Sequence, residues 1–295
     1  MPGLVWFITG CATGFGEKLV HDVLGRGDKV IATARNASAR LQTQKEAGAA
    51  ILELDVTGTQ KTLDDVVNQA LKIYGKIDVL VNNAGYLEAG FLEEVGEERM
   101  RNVFSTNFFG AINLSRAVLP HFRERKTGTL IFMSSYTVWE GQPTPGAYVA
   151  SKGALESAVL CLEKEVAPFG IKTCTVISGL FRTEIFGPRN MKYGAREIPA
   201  YAEGNKWSDS LVTQMYEHSP GDPAAGAARI VDAVKSEGTA KGKEVPSFLI
   251  LGQEALDAIR ARCKAMLKIC DEGESVAQST ATGAIPADQA ETKSE

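Results

Sequence analysis

Short runs of β-branched and aromatic residues alternate along this chain with longer stretches of mixed polarity. Leu4–Ile8, Lys29–Thr33, Ala50–Leu54, Asp78–Val81, Thr129–Met133, Lys172–Ile177 and Ser247–Leu251 read as strands. Their apolar positions are mostly continuous rather than alternating, the pattern of strands covered on both faces. Helical patterns separate them, over 15–26, 37–48, 59–74, 97–124, 150–167 and 222–236. Pro168 and Gly170 close one of these helices, and Asp222-Pro223 opens another as an N-cap followed by proline at the first helical position. Regular strand–helix alternation builds right-handed βαβ units. The pattern therefore predicts a single α/β domain: a doubly wound parallel sheet of about seven strands with helices on both faces. Residues 184–221, rich in Gly, Pro and aromatics, read as an insertion between a strand and a helix. The domain is expected to span 1–270, and the polar, low-complexity, acidic segment 271–295 to be disordered.

Composition narrows the partners. A chain of 295 residues, 44% hydrophobic, can bury a sizeable core without disulfides or a structural metal. The net charge of −4 lies in the last segment, where six acidic residues face Lys293 alone. The remainder is nearly neutral, which gives no electrostatic case for nucleic acid or an anionic membrane. The longest apolar runs, Leu4–Ile8 and Ala158–Leu162, are five residues each, far short of a membrane span. No basic segment precedes the first of them, as a secretory signal would require. Five cysteines without a C-x-x-C pair, and only three histidines, suit neither a disulfide framework nor a zinc site. A reducing, cytoplasmic location is expected.

Three segments carry chemistry. Thr9-Gly10-Cys11-Ala12-Thr13-Gly14-Phe15-Gly16 follows the first strand and opens the first helix. Glycines there permit a tight turn and let backbone N–H groups approach a pyrophosphate at the helix N-terminus. Tyr148 and Lys152, four residues apart at a helix start, share one helix face. A free tyrosine has a pKa near ~10 and needs a neighbouring cation to act as an acid–base group at neutral pH. Gly10, Arg35, Asp55, Asn82, Ser135 and Gly179 each stand just past the C-terminal end of a predicted strand, along the edge where open α/β sheets bind ligands.

The glycine loop, together with Asn82-Asn83-Ala84-Gly85, Asn107, Ser135 and Tyr148-x-x-x-Lys152, resembles the short-chain dehydrogenase/reductase family, in that family's order from about Leu4 to about residue 265. Ser135 lies 13 residues before Tyr148, the family's usual spacing, which selects it over Ser134. The resemblance implies a Rossmann-like fold, a nicotinamide cofactor and a homodimer or homotetramer built on the helices near 97–124 and 150–167. It assigns proton transfer to Tyr148, substrate oxygen binding to Ser135, a nicotinamide-ribose contact and pKa control to Lys152, and a water relay to Asn107. Cofactor contacts would come from Thr9, Gly10, Thr13, Gly14, Phe15 and Gly16 in the first loop. Asp55 and Val56 would meet the adenine edge, and Asn82, Ala84 and Gly85 would lie beside the adenosine ribose and brace the central sheet. Tyr148, Lys152, Gly179 and Thr183 would serve the nicotinamide end. Ser178 departs from the family, standing where a proline usually precedes the glycine.

NAD-preferring members usually carry an acidic residue at the end of the second strand. Here Ala34 holds that place and Arg35 follows, whose guanidinium suits a 2′-phosphate, so NADP(H) is the expected cofactor. Thr13 stands where some NADP enzymes have a second basic residue. By resemblance the insertion after Thr183 is a mobile lid, and its Phe186, Met191, Tyr193, Tyr201, Trp207, Met215 and Tyr216 suggest a bulky apolar or aromatic carbonyl or alcohol substrate. The closing stretch Pro246–Arg260 is similar to the subgroup of 17β-hydroxysteroid and retinol dehydrogenases. The reading is an NADPH-dependent ketoreductase, reversible as an alcohol dehydrogenase. A biosynthetic member catalysing isomerisation or cyclisation, and a non-catalytic NADP sensor, remain as alternatives.

Overall fold

The structure, a computed structural model, describes residues 3–281. Its strands are β1 (Val5–Ile8), β2 (Lys29–Ala34), β3 (Ala50–Glu53), β4 (Val79–Asn82), β5 (Leu87–Ala89), β6 (Gly128–Ser135), β7 (Ile171–Ser178), β8 (Met191–Tyr193) and β9 (Phe248–Leu251). Seven of them form one parallel sheet in the order β3-β2-β1-β4-β6-β7-β9. The chain reverses direction of growth between β1 and β4, which opens a crevice at their C-terminal ends. Every strand expected from the hydrophobic runs is present. The short pair β5 and β8 forms a second parallel ribbon that the patterning did not reveal; each strand has three residues, too few to carry a periodicity.

The helices are α1 (Gly14–Gly25), α2 (Ala37–Arg40), α3 (Gln42–Glu46), α4 (Gln60–Tyr74), α5 (Glu97–Phe104), α6 (Ala111–Arg125), α7 (Thr137–Glu140), α8 (Gly146–Val166), α9 (Ala202–His218), α10 (Pro223–Lys235) and α11 (Gln253–Ser279). Side chains alternate along each strand, so Trp6 and Ile8 enter the core beneath α1 and α10, while Val5 and Phe7 enter the core beneath α4, α6 and α8. All four are fully buried, which explains a first strand without polar positions. Thr59 caps α4 by accepting a hydrogen bond from Thr62 N, and Gly75 ends it in the left-handed conformation.

Three stretches depart from the sequence expectation. The helix expected over 97–124 is interrupted by a wider π-helical turn at Ser105–Gly110. The insertion at 184–221 contains β8 and a full helix, α9. The segment expected to be disordered from residue 271 is corrected over its first part, because α11 continues to Ser279. Within 271–279 only Val276 and Ala277 are apolar, so the composition conceals the helix. Residues 282–295 of the expected tail lie outside the described residues.

Candidate active site

The glycine loop joins β1 to α1 at the sheet's C-terminal edge. Gly10 and Gly14 have φ of +69° and +61°, where a Cβ is strained. A Cβ on Gly16 would stand 2.3 Å from the Gly10 carbonyl oxygen, so that glycine lets the helix close against the loop. Thr13 is the N-cap of α1, yet its side chain accepts none of the helix's first N–H groups. Those donors stay available to an anion, the arrangement that receives a pyrophosphate. Phe15 packs against Phe181, with ring centroids 4.9 Å apart, beneath the start of α1.

Thr9 is buried and turned toward β4. Its hydroxyl donates to Val81 O and accepts from the backbone N–H of Asn83 and of Ala84. Asn83 answers by donating its amide to the carbonyls of Thr9 and Gly10. These bonds lock the glycine loop to the turn after β4. The sequence reading named Asn82 as a cofactor residue; its side chain instead donates to Ser115 Oγ inside the core and does not line the crevice. Strand alternation decides this, since Asn82 is the last residue of β4 and turns inward while the crevice meets Asn83, Ala84 and Gly85.

A cavity of about 630 Å³ runs along this edge and is lined by most of the expected site, although Thr9, Gly16 and Asn107, like Asn82, do not line it. At one end are Arg35, Asp55 and Val56, joined by Arg40, which the sequence reading missed. Among the described residues neither guanidinium is paired with a carboxylate. Asp55 folds back to accept from Thr57 N and Thr57 Oγ1, fixing the turn after β3. Glu53 accepts from the N–H groups of Asn36 and Ala37, which holds the loop bearing Arg35 in place. These features, together with the free helix N-terminus, fit an adenine dinucleotide.

At the other end Ser135, Tyr148, Lys152, Gly179 and Thr183 line the same cavity. Tyr148 and Lys152 are both buried in α8, and the Lys152 ammonium donates to Met133 O at 2.7 Å. Its Nζ lies 5.9 Å from the centre of the Tyr148 ring. Burial pushes the Tyr148 phenol up to about 12, although the Ser135 hydroxyl pulls it partway back. Burial also pushes Lys152 down to about 8, opposed by the charge of Glu156. The expected depression of the tyrosine pKa is therefore absent from the protein alone, because desolvation of the phenolate, together with the nearby charge of Glu156, outweighs the Ser135 hydrogen bond. Ser135 Oγ lies 2.9 Å from Thr137 Oγ1 and accepts from Thr137 N.

Asn107 sits in the π-helical turn and is 1% exposed. Its amide donates to Tyr86 O and Ser151 Oγ, and its carbonyl accepts from Tyr86 N. The extra residue of the turn aims this side chain at the strand-β4 loop, a frequent use of π-bulges at functional sites. A Cβ on Gly85 would meet Asn107 Oδ1 at 3.1 Å and Lys152 Nζ at 3.5 Å, so Gly85 must lack a side chain for the two to lie this close. Ser134 also borders the cavity, but its hydroxyl donates to the buried Glu156 carboxylate, whereas Ser135 Oγ pairs with Thr137. Ser178, in place of the family's proline, donates to Ser134 O and ties β7 to β6. Thr183 accepts from Ile185 N and begins the lid.

The lid closes the reactive end with Ile185, Phe186, Met191, Leu211, Val212 and Met215. Of the aromatics noted in sequence, Phe186 faces the cavity, Tyr201 stacks on Phe91 at 4.3 Å, and Trp207 and Tyr216 are exposed. Among the described residues no helix is long and apolar enough to cross a membrane.

Comparison with known proteins agrees with this geometry. Residues 4–194 match the family described as short chain dehydrogenase. The chain is 30% identical over 256 residues to oxidoreductase BOA17 of Botryotinia fuckeliana, covering 86% of this chain and 90% of that one. It is 36% identical over 198 residues to retinol dehydrogenase 8 of Homo sapiens, covering 65% of this chain and 63% of the relative. A short-chain dehydrogenase structure from Streptomyces avermitilis superposes with a TM-score of 0.83 at 38% identity, covering 95% of this chain and 98% of the other. This chain belongs to the short-chain dehydrogenase/reductase family of oxidoreductases.

Proposed function

We propose that this protein is an NADPH-dependent ketoreductase, reversible as an alcohol dehydrogenase, that works in the cytoplasm on bulky apolar or aromatic carbonyl compounds. The observation that carries the reading is the convergence of Ser135, Tyr148 and Lys152 on one cavity shared by the glycine loop and an apolar lid. NADPH supplies the hydride when bound. Gly10, Gly14 and the uncapped start of α1 would hold its pyrophosphate, Lys152 would bind the nicotinamide ribose, and Thr183 would hold the carboxamide. Ser135 Oγ donates to the substrate carbonyl oxygen and fixes it beside the Tyr148 phenol. Tyr148 then gives its proton to that oxygen as negative charge develops on it. A phenol at about 12 in the protein alone is fully protonated at neutral pH, which suits it as the acid of the reductive direction. Lys152 returns a proton to the phenolate, and Asn107, held by Tyr86 and Ser151, steadies the water path behind it.

Arg35 and Arg40 support the choice of NADP(H), since both lie at the adenosine end without a carboxylate partner among the described residues. A charge-assisted pair with a 2′-phosphate is worth about 1.5–3 kcal/mol, roughly one to two decades in affinity. Retinol dehydrogenase 8 is named for a bulky apolar alcohol, which agrees with the apolar lid. The test is consumption of NADPH and of NADH against a panel running from small sugars to polycyclic and long-chain ketones. Turnover is expected with the bulky ketones and NADPH, at least about tenfold better than with NADH. A preference for small polar carbonyls, or equal use of both cofactors, contradicts it.

A further inference from the structure

Helix α11 runs for 27 residues, but among the described residues only its first turns pack on the rest of the protein. Ala255 is buried, and Ile259 packs against the cluster around Tyr136 and Ile177. From Arg260 to Thr280 every residue except Gly273 is exposed. This free part still carries large apolar side chains: Met266, Leu267, Ile269 and Val276 are 41%, 65%, 55% and 68% exposed. Among the described residues nothing covers these side chains, an exposed apolar surface of the kind that marks an interaction site.

Their spacing is ordered. Ile259, Cys263, Met266, Cys270, Gly273 and Ala277 follow one another at alternating steps of four and three residues, the repeat of a coiled-coil seam. Leu267, Ile269 and Val276 flank that seam. Charge is divided along the same helix. Beyond Glu254 and Asp257, Arg260, Arg262, Lys264 and Lys268 occupy the first half of its free part, and Asp271, Glu272 and Glu274 the second. A helix that is basic at one end and acidic at the other is self-complementary only when two copies run antiparallel.

We propose that the free part of α11 is an interaction surface for a second copy of this chain, paired antiparallel about a two-fold axis near Lys268. In this register Met266 of one copy packs against Cys270 of the other, and Cys263 against Gly273. Leu267 meets Leu267 and Ile269 meets Ile269 across the axis. Arg260 of each copy stands beside Glu274 of the other. A parallel pairing would set Cys270 against Cys270 and leave these charges without opposite partners. The contact is isologous, as a closed dimer requires. It is separate from the helices through which the family resemblance implies assembly, and it does not depend on the reading of the reaction.

The experiment uses the full chain and measures sedimentation mass with turnover per chain. Leu267→Glu with Ile269→Glu is expected to halve the mass and to leave the far-UV spectrum nearly unchanged. Arg260→Glu should raise the dissociation constant about tenfold or more by placing like charges together. Adding Glu274→Arg to it should restore the original value, which a merely damaged helix would not do. Under mild oxidation M266C should give a covalent dimer that Cys270→Ser abolishes. An unchanged mass after charging Leu267 and Ile269 overturns the proposal. So does a disulfide-linked dimer of the unaltered chain that Cys270→Ser abolishes, since it would mean parallel helices. Co-sedimentation with vesicles of phosphatidylserine and phosphatidylcholine, lost in the charged variant with no change of mass, overturns it in favour of a lipid surface.

Discussion

At the scale of single residues, the chemistry is set by two buried groups displaced in opposite directions. Tyr148 is pushed up to about 12 and Lys152 down to about 8, both by burial. Tyr148→Phe removes one hydroxyl and is expected to lower turnover by about 10² or more with little change in NADPH affinity, read by steady-state kinetics beside a binding titration. Lys152 is the group that loses its charge first as pH rises, so reductive kcat/KM should fall on the alkaline side. Glu156 opposes that loss through its charge, while Ser134 holds its carboxylate from the other side. Glu156→Gln is therefore expected to move the alkaline limb to lower pH, with Lys152 discharging earlier; a limb at the same pH would limit Glu156 to packing. Ser135, Tyr148 and Lys152 were legible because their spacing survives in sequence. Asn83, Arg40 and Glu156 were not, because their parts depend on which way a side chain turns at a strand end or across a helix. Asn82 turns into the core for the same reason, where it braces β4 against Ser115.

Among the elements, the join of β1 to α1 was legible because glycine tolerates the positive φ of Gly10 and Gly14 where other residues are strained. Gly16 adds a steric demand. Its missing Cβ would meet the Gly10 carbonyl at 2.3 Å and the Asn83 amide at 2.6 Å. Gly16→Ala must push the helix from the loop, at the ~1–3 kcal/mol typical of overpacking. A lower Tm and weaker NADPH binding together are expected; binding unchanged at a lower Tm would show that the loop keeps its shape. The π-helical turn and the paired strands β5 and β8 left no sequence signal, since one is a single inserted residue and the other a pair of three-residue strands. The lower reach of α11 was hidden for a different reason. Its acidic, small-residue composition resembles that of a disordered segment, and the seam positions that fall within it, Gly273 and Ala277, carry too little apolar surface to signal a helix.

For the molecule as a whole, a parallel sheet of seven strands was legible, because parallel strands buried on both faces have little choice but continuous apolar runs, whereas their order in the sheet was not. Asp78 ties the start of this sheet together, accepting from Val5 N, Lys76 and Arg125. Burial alone would raise its pKa, but these partners outweigh burial and hold it below the ordinary 3.8. A depressed carboxylate contributes stability above its ordinary pKa and loses it as pH falls through the folded value. Thermal melts should therefore show the unaltered chain losing part of its Tm below pH ~4, whereas Asp78→Asn starts lower and varies less over that range. The central claim, that this cavity delivers hydride to a carbonyl carbon while Tyr148 protonates the oxygen, is tested most directly by isotope transfer. NADPH carrying deuterium at the transferable C4 position is incubated with a bulky ketone, and the product alcohol is examined by mass spectrometry. One deuterium on the carbinol carbon for each NADPH consumed is the expected result, with none formed by Tyr148→Phe above about one-hundredth of the normal rate. Product formed without deuterium, or at an undiminished rate by Tyr148→Phe, would contradict it.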